Sequence, residues 1–251
     1  MTTETRRTGL AYGTLGVAVL GVTWEAVGRT EVLGSTFPPA SDVIAYLVDP
    51  AYRSLFGRAV AATFWSAGRG FVAGSLVAMF LAALAALLPV LKDGMDRFVA
   101  SIHAVPLIAL GPLFIVLMSR SGTPTAIAAL AAFFPVYVAT AAGFDDTTAS
   151  HRDMFAVMGS GRWVRLRHLQ LPAALPAFAD GLRLAAPASV LGAILGEWFG
   201  APRGIGILIV SSMQNFQIDQ LWASAMLAAL ISLFAFAVFG AFERLVVART
   251  R

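Results

Sequence analysis

Long apolar runs alternate with short polar intervals along almost the whole chain. Six runs approach the roughly 20 residues that a helix needs to cross a hydrocarbon core. They are Leu10–Gly28, Gly70–Leu88, Phe98–Met118, Thr123–Gly143, Leu182–Phe199 and Leu221–Val247. The last is long enough to tilt or to continue past the membrane surface. Only helices and closed barrels satisfy their backbone in lipid. Runs such as FVAGSLVAMFLAALAALL lack the alternation of a barrel strand. The pattern predicts an all-α, polytopic membrane protein of about six transmembrane helices, taken as one transmembrane domain over residues 1–251.

The polar intervals refine this picture. Arg6 and Arg7 precede the first run, but no Ala-x-Ala site follows it, so it is expected to stay as an uncleaved span. Between Arg29 and Arg58, Phe37-Pro38-Pro39 leads to Ser41-Asp42, expected to cap a short surface helix through Ile44 and Leu47. With the N-terminus inside, eleven basic residues, Arg6, Arg7 and Arg251 among them, fall on the cytoplasmic side. Five fall opposite: Arg29, Arg53, Arg58, Arg120 and Arg203. That bias predicts both termini in the cytoplasm, with the polar interval of about 145–176 there too.

Composition agrees with a membrane protein: 58% of the 251 residues are hydrophobic and 13% charged, against about 25% charged in soluble domains. The net charge of +4 lies in short loops rather than on one face, so no nucleic-acid partner is expected. Cysteine is absent, which excludes disulfides, thiol catalysis and Cys-based metal sites. The only lysine, Lys92, stands between Leu91 and Asp93, outside any Gly-Lys-Ser/Thr phosphate loop. The chain is therefore not expected to hydrolyse ATP by that route.

The most informative interval is Asp153–Pro176, DMFAVMGSGRWVRLRHLQLPAALP, rich in arginine and set between apolar runs. As a helix it places Phe155, Met158 and Trp163 among charged residues. Gly159 and Gly161 suit a turn or the close approach of another backbone. Leu171-Pro172 biases the chain out of helix before the fifth span, and Asp180 and Arg183 can pair as it begins. Gly159, nine residues, then Leu169-Gln170-Leu171-Pro172 resembles the coupling (EAA) loop of bacterial ABC importer permeases, of the nitrate/sulfonate/taurine group in particular. The loop starts Asp153-Met154-Phe155 where that pattern has acidic-Ala-Ala. FPPASDVIAYL (Phe37–Leu47) and GEWFGAPRGIGILI (Gly196–Ile209) resemble further segments of the group, so the likeness runs from about Phe37 onward.

The resemblance implies a type I importer permease fold in the bacterial inner membrane and a transport subunit rather than an enzyme. Implied partners are two P-loop ATPase copies, an extracytoplasmic solute-binding protein and a second permease, identical or different. ATP and Mg would be bound by the ATPase, leaving no cofactor and no metal in this chain. Asp153, Phe155, Gly159, Arg162, Trp163, Leu169, Leu171 and Pro172 would form the ATPase-coupling loop, and Glu197, Gly204 and Gly206 the translocation path or outer gate. A sulfonate, taurine or nitrate-like anion or a vitamin precursor would be the solute. The alternative is an ion-gradient-driven secondary transporter, which calls for midplane acids and inverted repeats. Span middles carry neither Asp nor Glu, and Glu25 and Glu197 are expected near the outer interface. His103, with no second ligand at helical spacing, is expected to be a hydrogen-bonded packing residue.

Overall fold

The computed structural model describes residues 3–250, with side chains for 12–249. Arg251 and the side chains of Arg6 and Arg7, three of the basic residues counted above, lie outside the described residues. Eleven α-helices connected by short turns account for most of the described chain, and no strand is present among the described residues. They are α1 (Thr3–Arg29), α2 (Ala40–Val48), α3 (Arg53–Leu87), α4 (Pro89–Ala104), α5 (Gly111–Met118), α6 (Thr123–Asp145), α7 (Ala149–Val157), α8 (Arg162–Arg165), α9 (Leu171–Glu197), α10 (Ile205–Gln214) and α11 (Ile218–Thr250).

Among the described residues four helical stretches are long and apolar enough to cross a membrane: Arg53–Leu87, Thr123–Asp145, Arg162–Glu197 and Ile218–Arg249. The third expected span is broken instead. Its halves, Pro89–Ala104 and Leu107–Met118, meet at 85°, because Pro106 has no N–H to continue the helical ladder. Helix α1, at the first expected span, has 27 residues.

The helices gather into two compact units. One comprises Met1–Gly57 with Leu208–Met226, the other Arg58–Ile207 with Leu227–Arg251. In the first, Trp24, Phe37 and Trp222 cluster, with ring centroids 5.0–6.4 Å apart. Helix α2 is not capped by Ser41 or Asp42. Its N-cap residue is Pro39, which offers no side-chain bond, and Glu25 from α1 accepts from the Ser41 N–H at 2.9 Å.

In the second unit, α6 and α9 pack along their lengths. Small residues make this possible: a Cβ on Gly143 would stand 2.9 Å from the Ala174 backbone, and one on Gly192 2.9 Å from that of Ala128. Buried Val136, Tyr137, Phe144, Leu166 and Leu182 fill the seam, and Ala78 and Ala82 of α3 join them. Half of the apolar window of α6 is buried and none of that of α11. Helix α11 therefore presents an apolar surface that suits lipid or another chain.

Candidate functional site

Residues 149–172 project as a helical hairpin. Thr148 opens α7 by accepting from the His151 N–H. Gly159 closes it with φ +68°, the left-handed conformation that favours glycine. The Ser160 N–H bonds Phe155 O and the Gly159 N–H bonds Ala156 O, both at 3.0 Å, which is the Schellman pattern. Gly159 thus has a local task, ending α7, and no atom stands within 4 Å of the place a Cβ would take.

The chain then re-enters helix at Arg162 and does not leave it at Pro172, contrary to the expectation from Leu171-Pro172. A π-helical turn, Leu166–Gln170, carries α8 into α9. The Leu171 N–H bonds Leu166 O five residues back, and this wider turn accommodates the proline ring, which lacks an N–H.

Only Leu166 is buried in this segment, 2% exposed. Asp153, Arg162, Leu171 and Pro172 are exposed, while Phe155 and Leu169 are half-buried. Met154, Val157, Met158 and Trp163 are 50–89% exposed. A cavity beside Arg162 is lined by Lys92, Asp145, Arg152 and Arg165 among others. Lys92 pairs with Asp145 at 2.6 Å, and Arg162 donates to Leu87 O at 3.4 Å.

At the opposite end of α9 the environment is closed. Glu197 is 0% exposed, not at a wet interface. Thr63 Oγ1 donates to its Oε1 at 2.8 Å and the Gly206 N–H to its Oε2 at 2.7 Å. The Ile205 N–H in turn donates to Thr63 Oγ1 at 2.9 Å. A carboxylate and a hydroxyl thereby cap the free N–H groups that begin α10. Gly204, at φ +147°, and Gly206 leave the space the carboxylate occupies. Sequence reasoning singled out Glu197, Gly204 and Gly206 but missed Thr63, for which no local signal exists.

Arg183 likewise takes an unforeseen partner. It donates to Glu243 Oε2 of α11 at 2.8 Å, rather than pairing with Asp180, and lies over the Phe236 ring at 4.3 Å. Among the described residues no group of three His, Asp or Glu side chains could hold a metal ion.

Residues 70–251 match the model of the binding-protein-dependent transport system inner membrane component. The chain belongs to this family. It is an inner-membrane, multi-pass permease of an ABC importer, a transport component and not an enzyme. The permease is similar to the formylaminopyrimidine transport permease protein ThiX of Halalkalibacterium halodurans, at 28% identity over 92% of this chain and 93% of that one. It is similar to the taurine transport system permease protein TauC of Escherichia coli, at 27% over 90% and 84%. The riboflavin transport system permease protein RibX of Chloroflexus aurantiacus is 28% identical over 62% and 59%.

Proposed function

We propose that this permease forms the solute path of an ATP-driven nutrient importer and couples to a separate ATPase through residues 153–172. The observation that carries the reading is the exposed apolar and arginine-rich hairpin, set directly on α9, the most buried of the spans. An ATPase cleft would cover Met154, Met158 and Trp163, and helix α9 would transmit its movement. ATP and Mg belong to that ATPase, present in two copies. A solute-binding protein serves the other face, and a second permease, identical or different, completes the path. The hairpin and both termini then lie in the cytoplasm, the whole chain acts as one transmembrane domain, and Glu197, Gly204 and Gly206 form a clamp at the outer gate.

The solute is a small nutrient: a sulfonate or taurine-like anion, or a vitamin precursor of the kind that ThiX and RibX are named for. The test is purification of the tagged permease from its native membrane, with partners identified by mass spectrometry. A P-loop ATPase recovered with the wild type and lost with Arg162→Glu supports the reading. Correctly inserted protein that brings down no ATPase overturns it. Uptake into proteoliposomes of formylaminopyrimidine, riboflavin and taurine then sorts the solute.

A further inference from the structure

The break between α4 and α5 lies level with the middle of α6. His103, the penultimate residue of α4, stacks on Phe134 with ring centroids 3.6 Å apart and planes 4° from parallel. Phe134 is the central residue of the 23-residue α6, so His103 and the non-helical Val105-Pro106 that follow stand halfway along a span. Non-helical backbone is tolerated at that depth only where it is buried in protein or lines a cavity. Discontinuous helices at the midplane form the solute sites of other transporters.

A cavity of about 150 Å³ lies at this break, lined by His103, Leu107, Phe133, Phe134, Leu191 and Gly192 among others. No Lys, Arg, Asp or Glu lines it. The hydrogen bond expected of His103 is missing: among the described residues its ring has no hydrogen-bond or ion-pair partner, and it is exposed. An ionisable side chain at midplane with nothing to bind is a functional group in want of a ligand. Pro106, Ile108 and Ala109 beside it are exposed too, so this side of the broken span is covered by nothing in the chain itself.

We propose that this cavity is a solute subsite of the translocation path that takes a single six-membered heteroaromatic ring, of pyrimidine size, with His103 as its polar contact. The inference rests on the permease reading and narrows its solute class. Apolar cavities of ~150 Å³ hold one benzene-sized ring. The parallel His103–Phe134 pair shows that flat rings stack here, and one imidazole edge supplies a hydrogen bond to a ring nitrogen or amino group. A sulfonate would surrender its hydration for that one imidazole, with neither guanidinium nor ammonium in the lining, and burying an unpaired anion is costly.

The test uses the complete importer (permease, ATPase and binding protein) in proteoliposomes, with labelled formylaminopyrimidine and taurine as probes. ATP-driven uptake of the pyrimidine is expected, reduced at least tenfold by His103→Ala. His103→Phe keeps the stacked ring and removes the hydrogen bond, so it guards against a folding defect. It should insert and retain its ATPase like the wild type and still lose pyrimidine uptake. Pyrimidine uptake within twofold of wild type in both variants overturns the subsite while leaving the permease reading intact. So does an importer that drives taurine but no pyrimidine. Absence of any co-purifying ATPase overturns both.

Discussion

The two ends of the continuous helical stretch Arg162–Glu197 treat their polar groups in opposite ways. At the Glu197 end, a buried carboxylate accepts from Thr63 and Gly206, and the hydroxyl of Thr63 is itself engaged by Ile205. At the Arg162 end, Met154, Met158 and Trp163 stand in the open, and Arg165 has no ion-pair partner among the described residues. A closed network has completed its contacts within the chain. An open, apolar one has not, and its stability is indifferent to side chains that a partner would need. The same solution as at Glu197 recurs at α2, where Glu25 accepts from the second residue of the helix, as Glu197 does from the second of α10. Acids near span ends here cap the short helices that follow, which explains two charges in apolar sequence without invoking solute.

The contrast breaks most readily at Glu197. Glu197→Ala strands two buried donors, each costing ~1–3 kcal/mol, so a loss of roughly 2–6 kcal/mol is expected. Thermal unfolding in detergent measures it, and an unchanged midpoint would mean the clamp does not hold α10. Trp163→Ala should do the reverse. Its effect on stability stays within about 0.5 kcal/mol, while ATPase affinity drops by ~2–4 kcal/mol, as for a buried aromatic anchor. Titration of purified ATPase against the two permeases checks this, and equal affinities would move the docking surface elsewhere.

Gly159 tests whether its role is local or lies in contact. Gly159→Val forces a branched residue into left-handed backbone, at a cost of ~1–2 kcal/mol, whereas Gly159→Asn adopts it readily. Both side chains meet open space, so rescue of uptake by Asn assigns the residue to the helix stop. Failure of both variants with normal stability assigns it to the partner's cleft. The smallest effect is expected at Lys92. Its pair with Asp145 is 37% and 59% exposed, and Lys92→Met should cost no more than ~1 kcal/mol, read by the same thermal assay in low and high salt.

Much of the fold was legible because a membrane helix is written in local composition. The span Thr123–Gly143 emerged as Thr123–Asp145, and the acids Asp145-Asp146 end it as their charge suggests. The hairpin was legible from its glycine and arginines. Where the reading missed, the cause was a contact distant in sequence or a continuous backbone path that a local signal argued against. Leu171-Pro172 resembles a helix stop, yet the preceding π turn lets α9 begin there. Pro106 resembles any span proline, yet it bends its helix by 85°.

By itself, the sequence determined that this chain lives in a membrane as helices, where four of its spans run, and that one polar hairpin interrupts them. Those properties follow from hydrophobic transfer and backbone hydrogen bonding, both additive along a local window. Only the tertiary structure decided that Arg183 answers to Glu243, that Thr63 completes the Glu197 clamp, and that His103 faces a cavity with its ring stacked and its nitrogens free. Each depends on which helices lie side by side, and that is set by packing of small residues such as Gly143 and Gly192 rather than by any pattern within a single span.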